Sequence, residues 1–290
     1  MDRSGLYAVL EQYLHALGAR NASAVRWADT PLNSENNVML EPGDGLWGTI
    51  EGIGSYQLRF ADPSTRQVGY FGTVHEHVEE SAFTVRLKLD ASGRLQEAES
   101  IVVRQSDSGI KFENPRYWDK PILNASVQSP VPRAEMIRLS NGYFDTLQMN
   151  DGTLHTRFHP DCNRVENGVQ TTRNPEFAKI VPVSALGCEE QFRMGNYRYD
   201  DRLRARRFPL VDEERGLVLA FGFIDHSGRL AEYQLTDGRT VRSPVRRPHS
   251  FYLAELFKVD HAMLCQIEAN FITVPYNMAS PWDSIGGDSQ

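Results

Sequence analysis

This chain carries one pattern twice, and that repetition limits its fold more than any other feature. Tyr13, Leu14 and Leu17 correspond to Tyr143, Phe144 and Leu147 at an offset of 130. Glu35-Asn36-Asn37-Val38 corresponds to Glu166-Asn167-Gly168-Val169 at 131. Further on, Leu87-Lys88-Leu89-Asp90 corresponds to Phe257-Lys258-Val259-Asp260 and Glu99 to Glu268, at an offset of about 170. The spacing predicts one duplicated unit whose second copy gained some forty residues, with the Arg-rich stretch 227–248 as the extra material. A period above a hundred residues is too long for a solenoid, whose units run roughly 20–50 residues. Two like domains in 290 residues is the economical reading.

In the first unit (1–113), Leu6, Leu10, Tyr13, Leu14 and Leu17 form one apolar stripe of a helix ending near Gly18. A short helix is expected at Ala22–Trp27, an extended piece at Asn33–Leu40, and a helix within Trp47–Phe60 interrupted by Gly52 and Gly54. Strands follow at Val68–Glu76, Ala82–Leu89 and Leu95–Arg104, with Asp90–Gly93 as a hairpin turn. Phe83, Val85, Leu87 and Leu89 share one face; Thr84, Arg86 and Lys88 share the other. Helices followed by a meander give an α+β unit. The proline-rich stretch 114–132 reads as a linker, and the second unit (133–274) repeats the plan. It has a helix at Ala134–Met149, an extended Asn163–Thr172 and a helical stretch near Asn174–Leu186. Its strands are expected at 204–211, 217–225, 250–259 and 264–274, and 275–290 reads as a polar tail, free to wrap back but not expected in the core.

Composition and missing motifs exclude several functions. A net charge of −7 with scattered basic residues argues against nucleic acid, whose binders cluster positive charge. The run Arg202–Arg207 reads as a solvated segment compensated by Asp212-Glu213-Glu214. No window approaches 18 apolar residues, so no membrane partner is expected. The N-terminus has no signal-like apolar core, which implies a cytoplasmic protein. Cys162, Cys188 and Cys265 lack metal-ligand spacing, and buried thiols are favoured over a Cys162–Cys188 disulfide. There is no GxGxxG after a strand, no GxxxxGK[ST], no GxSxG and no HExxH. Any catalysis is therefore expected to be proton transfer without a cofactor or metal.

Glu35-Asn36 and Glu166-Asn167 are the first candidate groups, because both copies carry them. A desolvated carboxylate beside an amide suits general acid or base work, although the same pair could equally cap backbone groups at a strand entrance. Arg164 shares a face with Glu166 and would hold it ionised, favouring a base. His75-Glu76-His77 corresponds to Asp225-His226, which makes His75 and His226 candidate proton carriers. Two histidines without a spaced third ligand do not favour a metal. Trp47, Tyr56, Tyr197, His249 and Tyr252 are candidate contacts for a flat apolar ligand.

The helix-then-meander order, the repeated Glu-Asn signature and the stretches Gly43–Trp47, Arg164–Gly168 and Arg207–Leu217 resemble the nuclear transport factor 2-like (SnoaL-like) superfamily in tandem. They are also similar to an uncharacterised bacterial and fungal family. The resemblance implies two cones, each a curved antiparallel sheet wrapped around an N-terminal helix and open at one end as an apolar pocket. Superfamily members include ketosteroid isomerase, scytalone dehydratase, polyketide cyclases and formaldehyde-releasing lyases. That implies a cofactor-independent lyase, dehydratase or isomerase acting on a small hydrophobic molecule, aromatic or polyketide-like, with loss of water or formaldehyde. A non-catalytic carrier and a structural pseudo-dimer remain as alternatives, since fold alone does not decide function. For the enzyme, Glu166 (or Glu35) is the expected base, His226 (or His75) the proton partner and Asn167 (or Asn36) the orienting donor. The second copy is the expected active one; monomer and homo-oligomer are both open.

Overall fold

The computed structural model describes residues 1–77, 79–105 and 120–283. The start of the expected linker, 114–119, and the end of the expected tail, 284–290, lie outside the described residues. Helix α1 (Arg3–Gly18) is capped by Asp2, whose carboxylate accepts from the Gly5 amide at 2.8 Å, and its apolar stripe is buried. Ala22–Ala24 forms only a 3-10 turn, because strand β1 (Trp27–Glu35) begins where a helix was expected to continue. After β2 (Val38–Met39), the helix expected within 47–60 is a single turn, α2 (Leu46–Thr49), and β3 (Ile50–Asp62) takes the rest. Tyr56, Leu58 and Phe60 recur with a period of two, and that strand pattern outweighs the helical one. Gly54 lies in the irregular stretch of β3, where a Cβ would come within 1.9 Å of the Thr73 hydroxyl. The half ends with β4 (Gln67–Glu76), β5 (Glu79–Leu89) and β6 (Leu95–Val103).

The second half runs α3 (Pro121–Asn124), α4 (Arg133–Met149), β7 (Phe158–Glu166), β8 (Val169–Gln170), α5 (Cys188–Arg193), β9 (Arg202–Asp212) and β10 (Leu217–His226). The hairpin β11 (Glu232–Gln234) and β12 (Thr240–Arg242) precedes β13 (His249–Asp260) and β14 (Met263–Val274). The sheets have matching orders, β2-β1-β6-β5-β4-β3 and β8-β7-β14-β13-β10-β9. Each is a cone of α+β type, antiparallel except for one parallel pair, β1–β6 and β7–β14. The parallel pair departs from the all-antiparallel expectation; the long crossover it requires is supplied by the intervening strands. Registers also match: Glu35, Ser100, Val85 and Tyr70 lie side by side across the first sheet. Glu166, Ala269, Glu255 and Ala220 do so across the second.

These registers place the extra length in two blocks. The offset is 131 at Glu35/Glu166, 150 at Tyr70/Ala220 and 170 at Val85/Glu255. About twenty residues therefore enter before β9 and about twenty after β10. The later block is the hairpin β11–β12. The earlier one, residues 171–201, holds short 3-10 turns at Phe177–Lys179 and Pro182–Ala185 and the helix α5, in place of the continuous helical stretch expected there.

The sheets pack back to back. Leu58, Phe60 and Phe71 of the first meet Leu219, Phe221 and Ala254 of the second in an apolar layer separate from the two cone interiors. The face carrying Thr84 and Arg86 is therefore buried too. Arg86 pairs with Glu97 and Glu99 at 2.8 and 3.0 Å, and Glu99 also receives Arg207 and the Tyr252 hydroxyl. The Tyr56 hydroxyl donates to Glu268 at 2.9 Å. Tyr56 and Tyr252 thus face the layer between the halves. The run Arg202–Arg207 finds its acids in Asp225, Asp145 and Glu99, none of them in the 212–214 cluster.

Two reciprocal clamps close this layer. Arg3, at the start of α1, forms a two-pronged pair with Asp212 at 2.6 and 2.7 Å, and Asp212 also accepts from the Ala61 amide at 2.9 Å. Arg133, at the start of α4, donates to Asp62 at 2.6 Å, and Asp62 accepts from the Val211 amide at 3.1 Å. A cation at a helix N-terminus is electrostatically unfavourable; here each faces a buried carboxylate of the other half. Trp282, expected outside the core, is buried with its indole N–H donating to Ser34 at 3.2 Å and with Arg86 and Arg207 over its ring.

Removing the Asp212 carboxylate strands the buried Ala61 amide and leaves Arg3 only the exposed Glu214, 2.9 Å from its guanidinium. Asp212→Ala is expected to cost about 2–3 kcal/mol of stability in urea unfolding. A cycle with Arg3→Ala should show coupling between the pair. Additive single effects would mean that the clamp carries no energy.

Candidate functional site

The two interiors differ although their registers match. The second encloses a cavity of about 270 Å³, whereas the first retains about 10 Å³ beside Glu35 and Trp47. Side chains at matched positions account for much of this. In the first half Tyr70 and Val85 stand on the concave face, with Tyr70 packed against Phe83. In the second half Ala220 and Glu255 occupy those positions. The two added blocks complete the cavity: Phe177, Val181, Val183, Tyr197 and Tyr199 come from the first and Pro244 from the second.

The floor lies across three adjacent strands. Glu166 on β7 and Glu255 on β13 flank Ala269 on β14 at one level, two strand spacings or roughly 10 Å apart at the backbone. Alternation directs all three side chains into the cavity, which they line. The Arg164 guanidinium lies 3.6 Å from the Glu166 carboxylate. It donates to Gln191 at 2.5 Å and to the Tyr197 hydroxyl, and it lies against the Phe192 and Tyr197 rings. Glu255 is fully buried, and no ion pair with it occurs among the described residues. Burial, with the Glu166 charge adding to it, pushes its carboxyl up to about 8, although the Tyr143 hydroxyl and Arg164 oppose this. Burial thus favours the neutral, proton-bearing form of Glu255 beside the Arg164–Glu166 pair.

A second polar pole lies at the ends of β10 and β13. The His226 Nε2 is 2.8 Å from Asp200, and its buried Nδ1 has no hydrogen-bond partner among the described residues. Burial raises the Asp200 carboxyl, against the pull of His226. His249 stacks on His226 at 4.6 Å, and burial lowers its pKa. Between the poles the walls are Leu147, Ile224, Phe251, Leu253 and Phe271.

The residues singled out from the sequence divide sharply. Glu166, Arg164, Tyr197 and His226 meet around the cavity, and His249 adjoins it. Asn167 does not: both ends of its amide are bound to the Phe271 backbone, at 3.0 and 2.9 Å, in a turn where its φ is 47°. Asn36 holds Val102 in the same way, at 3.1 and 2.9 Å. Both asparagines close the sheet edge, so neither amide is free to orient a substrate. Glu35 accepts from the Leu46 amide at 2.7 Å and lies 3.3 Å from Arg104, at the start of α2. His75 is exposed on the outer face, and the inward counterpart of His226 is Glu76, held by Arg104 and Thr49. Trp47 packs edge-on against Tyr13 in the filled first cone. The sequence reading missed Glu255, Asp200, Tyr143 and Tyr199. Glu255 had a signal: it is the one charged residue in the inward series Phe251, Leu253, Glu255, Phe257, Val259. Asp200 had none, since it belongs to an irregular segment.

The model of a domain of unknown function, DUF8021, matches residues 129–271. No curated protein matches the chain. Among solved structures, a protein of unknown function with a cystatin-like fold from Methylobium petroleophilum is 12% identical, covering 38% of this chain and 83% of its own, with a TM-score of 0.32. An NTF2-like protein of unknown function from Cytophaga hutchinsonii is 12% identical over 33% of this chain and 88% of its own, TM-score 0.28. A proposed isomerase of the SnoaL-like family from Agrobacterium tumefaciens is 12% identical over 34% of this chain and 97% of its own, TM-score 0.26.

The raised Glu255 value has a consequence for stability. The unfolded chain releases this proton near 4.5, whereas the folded protein keeps it to about 8. The stabilisation is full below about 4.5 and is lost as pH rises towards 8. Glu268, buried between the sheets and pushed to about 8 by burial, contributes a second such slope. Glu255→Gln should remove about one proton's worth of pH dependence from urea midpoints measured between pH 5 and 8. An unchanged slope would show that Glu255 is ionised in the fold.

Proposed function

We propose that the second half is a cofactor-independent acid–base enzyme, a lyase, dehydratase or isomerase for a small hydrophobic and largely aromatic molecule. The observation that carries this reading is the buried Glu255 carboxyl, its pKa raised by burial, at the level of the Arg164–Glu166 pair in an apolar cavity. Proton abstraction next to a carbonyl needs a base and a donor for the developing oxyanion. Glu166 is the base, positioned by Arg164. Glu255 donates its O–H to the oxyanion. His226, oriented by Asp200, serves the other end of the substrate, where it protonates a departing hydroxyl. A volume near 270 Å³ corresponds to about nine waters, room for a molecule of one or two rings. The first half serves as the structural partner. Its matching strand registers support descent of both halves from one duplicated unit.

A panel of β-hydroxy ketones on aromatic scaffolds tests this, followed by the ultraviolet absorbance of the conjugated enone formed on loss of water. Glu166→Gln should lower kcat by a factor of about 10² or more while leaving product binding intact. Full activity in that variant would remove Glu166 as the base. Binding of the panel without turnover by the native protein would favour a carrier.

A further inference from the structure

The added block after β10 carries five arginines, Arg229, Arg239, Arg242, Arg246 and Arg247, against two acids, Glu232 and Asp237. Both acids are taken: Asp237 by Arg239 at 2.7 Å and Glu232 by Arg242 at 3.6 Å. Arg229, Arg246 and Arg247 are exposed, and none has an ion-pair partner among the described residues. They are also brought together. Gly228, at φ 70°, packs so closely on the opposing chain that a Cβ there would lie 3.1 Å from Arg247 and 3.3 Å from Arg246 backbone atoms. This corner borders the cavity. Pro244 lines it, and the Arg247 carbonyl is 2.9 Å from the Nδ1 of His249, which stacks on His226. Along β13, positions 249, 251, 253 and 255 share one face and lead from the end of the strand next to Arg247 down to Glu255. Three arginines without an ion-pair partner among the described residues gather at one corner, where the Asp201 carboxylate on the Ser227 amide is the neighbouring acid, and this leaves an excess of positive charge beside the apolar chamber.

We infer that the cavity takes an amphipathic anion, an apolar ring body inside with a carboxylate or phosphate group resting on Arg229, Arg246 and Arg247 at the rim. This rests on the proposed reading of the cavity as a ligand chamber and adds the charge of its ligand.

Two fluorescent probes with closely similar ring bodies separate the two ideas: anionic 1-anilinonaphthalene-8-sulfonate and neutral N-phenyl-1-naphthylamine. The anion should bind the full-length protein about 10-fold more tightly than the neutral probe at low ionic strength. An Arg246→Glu/Arg247→Glu double variant should abolish that difference, and so should 0.5 M salt, because the cations are exposed and screened. Competition by 1-naphthyl phosphate and by 1-naphthylacetate identifies which anion is preferred. Equal affinities in the native protein, or a difference that survives the double variant, would overturn the inference. If only the anion binds and the variant loses it, the rim stands while the apolar-chamber reading fails. If neither probe binds, both fall.

Discussion

The structure depends on the apolar layer between the two sheets and on the two arginine–aspartate clamps that fasten it. A sheet that curls around one helix hides its concave face and leaves its convex face exposed, and strongly apolar strands such as β10 cannot remain so. Here each convex face is covered by the other. Arg3 and Arg133 then fix the angle between the halves, because each leaves the start of its own helix to reach a carboxylate that also holds a backbone amide of the opposite sheet. Buried acids in the layer follow the same reciprocity with one exception. Glu99 has two arginines, whereas Glu268 has a tyrosine hydroxyl and a raised pKa, since Leu256 occupies the position that matches Arg86.

Matched registers turn the comparison of the halves into an internal control. The same strand order supports a filled core in one and a chamber in the other, and a few substitutions decide which. Tyr70 supplies bulk where Ala220 does not, and Val85 is apolar where Glu255 can carry a proton. Strands make the floor and inserted segments make the walls. The polar groups most rigidly held, Glu166, Arg164 and Glu255, are therefore on the sheet, while Tyr199 and Asp200 depend on irregular chain.

The repeat, the amphipathic helices and most strands were legible because periodicity reports which face a residue turns to the core. Legibility failed where a second constraint intervened. The helix expected within Trp47–Phe60 gives way to a strand whose period-two pattern outweighs its glycines, and the burial of the Arg86 face is invisible in sequence because one half does not show that another sheet lies behind it. Asn36 and Asn167 illustrate a different ambiguity: a polar residue kept in both halves fitted catalysis and backbone closure equally, and the paired amide bonds to Val102 and Phe271 decide for closure. Glu255 could have been read from its place among apolar neighbours. Asp200 could not, since its pairing with His226 arises only in three dimensions.

The convex face of the second sheet has a consequence for any attempt to isolate the cavity. Cut free near residue 129, that half would bare Leu219, Phe221, Phe223 and Ala254 together with the unclamped carboxylate of Asp212. Those groups already fit a sheet of the same strand order. Two excised copies would therefore tend to meet across the exposed patch as a symmetric homodimer, each subunit contributing a hollow cone, in place of the one-sided molecule the full chain builds.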